Sequence, residues 1–412
     1  MKVLAVNFHD EHGGAARAAL RLSTGIRAAG IHLDMLVRSK VSDRFWQFRV
    51  PGKIAKFTSV FGAMIDRFPN LAYGGLPDAS WSNNWLPTSG VRKSLRRGYD
   101  LAHLHWIGSG LASSAELKRL DKPIVWTLHD TMALAGGCHY VGDCENFTIG
   151  CGCCPQLGSR RTSDLSRINA SARTRAVRRT RMHVVSPSRW LADLARRSSV
   201  FQNAAISVIP NGIDLATYRP VDRSIARDIL GLPQDRKLVG FGAMGALTDK
   251  RKGGDLLFAG LSKLPVPPSL PLGQVIFGAN APETASEQTG PTFHLGQIKD
   301  DATLRLVYSA LDVVVVPSRE ENLSNVIMEA MACGTPVCAF DIGGNGEMIE
   351  HRVTGYLARP EDVSDLACGI LFALETPGLG AAARRTCEQS FDLAEVARRY
   401  IDLYETLIGT DH

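Results

Sequence analysis

Residues Pro317-Ser318-Arg319-Glu320-Glu321-Asn322-Leu323-Ser324-Asn325-Val326-Ile327-Met328-Glu329-Ala330 decide how the rest of this 412-residue chain is read. Ahead of them, residues 311–316 form a nearly apolar run, long enough for one buried parallel strand. The run stops at Pro317-Ser318, and a helix-like pattern continues through Met331. That order puts a helix N-terminus just past the carboxyl end of a strand, where unpaired backbone N–H groups and the helix dipole favour an anion. Glu321 and Glu329 frame the turn, and their spacing is a little over two helical turns, so both can lie on one helical face. Amide donors for phosphate and carboxylates for hydroxyls suit a sugar nucleotide.

Outward from this stretch, short apolar runs alternate with helical patterns. Strands are expected at residues 3–8, 33–37, 101–104, 124–128, 183–185 and 206–209, and a second set at 238–241, 275–277, 313–316 and 337–339. Such alternation builds βαβ units and parallel sheets, and two sets imply two Rossmann-like domains in an α/β chain. Asn211-Gly212, close to Pro210, is a turn signal that places the division there. Residues 391–408 carry Leu393, Val396, Ala397, Tyr400, Ile401, Leu403 and Tyr404 at helical spacing. The least legible part runs from 41 to 99. Within it, residues 53–68 read as an amphipathic helix, packed in the domain rather than lying on a membrane.

Composition sets bounds. A hydrophobic content of 45% with 21% charged residues is that of a globular protein, and no apolar run reaches membrane-spanning length. The first ten residues, Met1-Lys2-Val3-Leu4-Ala5-Val6-Asn7-Phe8-His9-Asp10, are charged too soon for a signal peptide and read as a buried strand, so a cytoplasmic location is expected. Nine cysteines, an odd number unevenly placed, argue against an extracellular disulfide framework. The net charge of +6 is concentrated between Arg160 and Arg181, where Arg161, Arg167, Arg173, Arg175, Arg178 and Arg179 meet the single acid Asp164. Two readings stand: an attraction to phosphate-bearing partners or to an anionic membrane leaflet, and a solvated helix face. Aromatic residues do not interleave with these arginines, which excludes single-strand nucleic-acid binding.

The stretch opening at Pro317 resembles the donor site of the family 4 glycosyltransferases, retaining enzymes of the GT-B fold. The likeness rests on Glu321-x7-Glu329, Ala330-Met331-Ala332-Cys333-Gly334-Thr335-Pro336-Val337, and Gly343-Gly344 with Glu347. The resemblance implies two Rossmann-like domains facing across a cleft: an acceptor-side domain over 1–212 with a Cys-rich insert at 136–157, a nucleotide-sugar domain over 213–390, and a C-terminal helix over 391–412 crossing back to the first domain. It assigns Glu321 to the sugar hydroxyls and Glu329 to the ribose hydroxyls. Where the family usually has Gly-Phe-Gly, this chain has Asn322-Leu323-Ser324, followed by Asn325, a departure that bears on which donor is held. Lys252-Gly253 matches the family's phosphate-binding Lys-Gly, but Ala243-Met244 stand where its arginine is usual, so Arg251 is the replacement guanidinium.

In the first half, Gly13 and Gly14 precede a helix from about Ala15 and permit a ligand's close approach to the backbone, with Arg17 in the first turn. His129, at the end of Ile124-Val125-Trp126-Thr127-Leu128, lies where open α/β sheets bind ligands, and the resemblance places it beside the transferring sugar. His103 and His105 are further cleft candidates. Cys138, Cys144, Cys151 and Cys154, near Cys153, give a spacing with one zinc-like pair. A structural zinc on those four and plain reduced cysteines are both open, and a subset of bacterial polysaccharide glycosyltransferases resembles this insert. The expected function is transfer from a nucleotide sugar to a saccharide or lipid-linked saccharide at the inner membrane face, with no catalytic cofactor. Other readings are a nucleotide-sugar epimerase, a phosphorylase and a non-catalytic two-domain binding protein.

Overall fold

The structure is a computed structural model that describes residues 1–50, 61–62, 64–73, 81–86, 88–242, 245, 249–264, 271–279 and 290–409. It divides into two compact units, Met1–Asn211 with Ala394–His412, and Gly212–Leu393.

In the first unit seven parallel strands lie in the order β3-β2-β1-β4-β5-β6-β7. They are β1 (Lys2–His9), β2 (His32–Ser39), β3 (Gln47–Arg49), β4 (Leu101–Leu104), β5 (Ile124–Thr127), β6 (Met182–Ser186) and β7 (Ala205–Val208). β1 is paired on both sides, Val3 with Leu33 and with Leu101. Its residues Val3, Leu4, Ala5 and Val6 are fully buried. Both faces are covered, which is why the strand reads as an uninterrupted apolar run.

The second unit has six parallel strands in the order β10-β9-β8-β11-β12-β13. They are β8 (Lys237–Gly242), β9 (Leu272–Phe277), β10 (Thr292–Gly296), β11 (Val313–Val316), β12 (Val337–Phe340) and β13 (Gly355–Ala358). In each sheet the strand order reverses at one place, between β1 and β4 and between β8 and β11. Open parallel sheets bind ligands at the carboxyl end of such a switch point.

Three strands lie outside the expected set. β3 is three residues long, β10 is a half-buried edge, and β13 begins on a glycine, so none shows a continuous apolar run.

The last helix, Leu393–Gly409, buries Val396, Ala397, Tyr400 and Tyr404, an i, i+1, i+4, i+8 face. They pack with Val3, Ala5, Leu101, Val125 and Val185 of the first sheet, each large side chain contributing about 1.5–3 kcal/mol. Phe391, just before this helix, is buried in the core of the second unit.

Residues 53–60 and 63 of the expected amphipathic helix lie outside the described residues. In the described part Phe61, Met64 and Phe68 are exposed while Asp66 is buried. The packing expectation is reversed there. Asp66 turns inward because its carboxylate accepts N–H bonds from Asn83 (2.9 Å) and Asn84 (2.8 Å). Burial nevertheless pushes its pKa up to about 6.

Candidate active site

Beyond the carboxyl ends of β8, β11 and β12, three loops of the second unit converge. Arg319 N–H donates to Arg251 C=O at 2.8 Å, and Arg251 Nη1 donates to Glu320 C=O at 3.2 Å. Two glycines permit the approach. Gly253 (φ 72°) lies against Pro317 and Gly343 (φ 51°) against Glu321, so tightly that a Cβ on either would strike a carbonyl oxygen.

At the meeting point Lys252 Nζ is 2.6 Å from Glu321 Oε1, and Ser318 Oγ donates to the same oxygen at 3.1 Å. Both charged side chains are mostly buried. Burial pushes the Glu321 pKa up, but the Lys252 and Arg251 charges and the bonds from Lys252 and Ser318 outweigh it and hold the carboxyl below its usual range. A charged carboxylate and ammonium thus stand together at the switch point. Sequence patterning did not single out Ser318 as a partner of Glu321.

The helix here is Asn325–Ala332, with Ser324 as N-cap. Glu321 therefore lies in the preceding turn, and only Glu329 is helical. The expectation of both acids on one helical face fails because Asn322-Leu323-Ser324 continue the turn begun at Pro317. The Leu323 side chain is buried in the core of this unit. Ser324 makes no side-chain cap bond, so the polar groups of the turn are not sealed by it. Asn322 and Asn325 are half-buried beside it. Glu329 is 3% exposed, and its Oε2 accepts from the buried Tyr308 hydroxyl at 2.7 Å. Tyr308 was not legible as a site residue, because a buried tyrosine on an amphipathic helix reads as core.

Arg251 is held by its neighbours, with Nη2 3.0 Å from Asp249 Oδ2 and Nη1 3.7 Å from Glu321. Ala243 and Met244 lie outside the described residues.

In the first unit Gly13 is the N-cap of helix Gly14–Ala28, and Arg17 in its first turn is half-buried. Asp10, just before, is fully buried and accepts from the N–H groups of Val41 and Ser42, both at 2.7 Å. His129 follows β5 and is partly exposed. Its Nε2 lies 3.1 Å from Nδ1 of the buried His105. The neighbouring Asp130 is structural: it accepts from Trp106 Nε1 at 2.8 Å and from Met132 N–H at 2.9 Å. Burial lowers the pKa of His129 to about 4 and of His103 to about 3. Both are neutral imidazoles near neutral pH.

Cys138, Cys144, Cys151 and Cys154 of the insert are gathered near one another. Among the described residues no three His, Cys, Asp or Glu side chains are arranged to hold a metal ion, and all nine cysteines are free. Burial pushes the thiols of Cys138, Cys151 and Cys154 up, each further raised by neighbouring cysteines. A buried guanidinium, Arg173, stands beside Cys138 and Cys151. It comes from the basic stretch, where helix Leu165–Val177 turns Arg173 inward to donate to the carbonyls of Met132 (2.8 Å) and Ala135. Arg160, Arg161, Arg175, Arg178, Arg179 and Arg181 are exposed and Arg167 is half-buried, so Arg173 is the one arginine of the stretch turned into the core.

Comparison with known proteins identifies the family. The sequence model described as Glycosyltransferase Family 4 matches residues 12–217, and that described as Glycosyl transferases group 1 matches 239–376. A D-inositol 3-phosphate glycosyltransferase of Xylanimonas cellulosilytica is 31% identical over 74% of this chain and 72% of its own. The chain belongs to the family 4 glycosyltransferases. A second enzyme of the same description, from Mycolicibacterium paratuberculosis, is 28% identical over 69% of this chain, which spans 61% of that relative's length.

Among solved structures, sucrose-phosphate synthase of Thermosynechococcus elongatus aligns over all of both chains with a TM-score of 0.71 at 21% identity. Anabaena HepE in complex with UDP-glucose aligns over 98% of this chain and 100% of its own with a TM-score of 0.64 at 19% identity. WaaG, a glycosyltransferase involved in lipopolysaccharide biosynthesis, covers 98% of this chain and 99% of its own with a TM-score of 0.63 at 17% identity. At these identities the likeness shows the fold: this glycosyltransferase has the two Rossmann-like units of GT-B enzymes. No single described helix is long and apolar enough to cross a membrane.

Proposed function

We propose that this glycosyltransferase moves a hexosyl unit, with retention of configuration, from a nucleoside diphosphate sugar to a saccharide or lipid-linked saccharide in polysaccharide assembly. The observation that carries the reading is the Lys252–Glu321 pair at the β8/β11 switch point. It offers a cation to a diphosphate and an ionised carboxylate to sugar hydroxyls. The Anabaena structure holding UDP-glucose supports a nucleotide-sugar donor for this fold.

In transfer, the bond from the anomeric carbon to the diphosphate oxygen breaks as the acceptor oxygen bonds to the same face. The acceptor's proton passes to the departing diphosphate. Lys252 offsets the charge that collects on the leaving group, and Glu321 fixes the sugar, so the protein's part is positioning and electrostatic stabilisation. Glu329, oriented by Tyr308, takes the ribose hydroxyls. Because Lys252 supplies positive charge to the diphosphate, a catalytic metal is not required, and a chelator leaves turnover unchanged.

Exposed Phe61, Met64, Phe68, Leu71 and Trp85 in the first unit support a lipid-linked acceptor presented at an anionic membrane surface on the cytoplasmic side. A thermal-shift series with uridine, guanosine and adenosine diphosphates and their sugars tests the donor class. One nucleotide should stand out, since stabilisation grows with ligand concentration over Kd. Product analysis then separates transfer from epimerisation and phosphorolysis and reads the anomeric configuration; an inverted product overturns retention.

A further inference from the structure

Four histidine and tyrosine rings lie beneath His129, and they connect it to the C-terminal helix. Tyr404 OH is 2.6 Å from His103 Nδ1, and His103 Nε2 is 2.8 Å from Thr127 Oγ1, which is 2.9 Å from Tyr400 OH. His103 lies 4.1 Å from His105, ring centre to ring centre, and His105 lies 5.4 Å from His129 in a stacked arrangement. His103 and His105 are buried, and His129 is the member of the stack that reaches solvent. The stack sits on the carboxyl ends of β4 and β5, so both strands and the last helix fix it.

The hydrogen bonds restrict the protons. One proton serves the bond between His105 Nδ1 and His129 Nε2, because both rings are neutral. His105 Nε2 is buried with no hydrogen-bond partner among the described residues. A proton on Nε2 would be a buried N–H donor with no acceptor, a state that protein interiors seldom leave in place. His105 therefore leaves a lone pair on Nε2 and keeps its proton on Nδ1, where it donates to His129.

We propose that His105, braced by His103 and by Tyr404 and Tyr400 of the C-terminal helix, is a positioning residue that locks His129 with its proton on Nδ1. The Nε2 lone pair of His129 is then occupied by His105, so His129 is not the proton acceptor of the reaction. This rests on the reading of His129 as a substrate-facing residue. Burial, which keeps all three imidazoles uncharged, supports it.

The test is nitrogen NMR on the full chain labelled with 15N-histidine, the His129 signal being assigned by its loss in His129→Ala. The expected spectrum between pH 6 and 8 shows His129 protonated on Nδ1 alone. His105→Phe, which keeps a ring but removes the bond, should mix the two tautomers and lower kcat about tenfold with nucleotide Kd within about twofold. Tyr404→Phe and Thr127→Val should lower kcat less, and Thr127→Ser should restore it. If His105→Phe fails to fold, the wild-type spectrum and the Thr127 pair decide. A wild-type His129 protonated on Nε2 overturns the proposal, as does wild-type kcat in both His105→Phe and Thr127→Val while His129→Ala is impaired. Full activity in His129→Ala instead overturns the substrate-facing reading and leaves the tautomer to be judged by the spectrum.

Discussion

The two sheets end in opposite kinds of chemistry. At the switch point of the second sheet, a lysine and a glutamate lie 2.6 Å apart in a mostly buried pair. At the carboxyl end of the first sheet, three histidine rings lie one against the next, His103 tied to the Thr127 and Tyr404 hydroxyls and His105 to His129, all uncharged near neutral pH. The same backbone geometry thus serves two purposes. The second unit concentrates formal charge where a diphosphate and a sugar are to be held. The first offers directional hydrogen bonds without charge, which suits orienting hydroxyl groups. Loss of one charged group on the second side should therefore cost more than loss of one hydroxyl on the first.

The largest effect expected is that of Glu321→Gln. The change removes the sugar's carboxylate and leaves Lys252 without its counter-charge, so turnover should fall about a hundredfold, the scale of a misplaced reacting group. Nucleotide affinity should change far less. Steady-state kinetics beside calorimetry check this, and wild-type turnover would break the comparison at its strongest point.

Lys252→Ala comes next. Losing a charge-assisted contact of about 1.5–3 kcal/mol should weaken nucleoside diphosphate binding at least about tenfold. The remaining affinity should depend less on salt than that of the wild type. Calorimetry at two ionic strengths reads both effects.

Glu329→Ala should weaken binding of the nucleotide through the lost ribose contact. Tyr308→Phe keeps the ring but releases the carboxylate, and should weaken it only about two- to fivefold, equivalent to about 0.5–1 kcal/mol. Equal affinities in wild type and both variants would remove Glu329 from the site.

The histidine side is most sharply probed by pH. Imidazoles with pKa values lowered from 6.5 to about 4 for His129 and about 3 for His103 bind protons more readily in the unfolded chain. Their contribution to stability is complete above pH 6.5 and is lost as pH falls through 6.5 towards 4. Asp66 and Glu116, whose pKa values are raised by burial, act in the opposite sense. His9, His105, His139 and His183 are also lowered and outnumber them. The melting temperature should fall between pH 7 and 4, and the fall should be shallower in His103→Phe.

Much of this was legible in the chain itself. Strands such as β1 and β11 are buried on both faces and announce themselves as apolar runs. Glu321 and His129 stand just past such runs, whereas Lys252 was singled out only by the resemblance of Lys252-Gly253 to the family's Lys-Gly. The edge strands β3 and β10 were not legible because an edge partly in water lacks that signature, and β13 was not because it is a four-residue strand that opens on a glycine.

Partners that touch across long sequence separations were hidden as well. Ser318 at Glu321 is close in sequence, but Tyr308 at Glu329 and Tyr404 at His103 are joined only by the fold. Tyr400 and Tyr404 read as part of an apolar stripe, and their hydroxyls carry no periodic signal. The cysteine spacing suggested a metal, and the fold sets the buried Arg173 beside Cys138 and Cys151. Spacing reports proximity along the chain but not the charge of what lies alongside.

The most direct measurement is a crystal structure with the preferred nucleoside diphosphate sugar bound. The account predicts the diphosphate against Lys252 and the turn leading into helix Asn325–Ala332, the sugar at Glu321 and the ribose at Glu329. A nucleotide bound elsewhere, with Lys252 and Glu321 still paired to each other and touching no ligand, would contradict it.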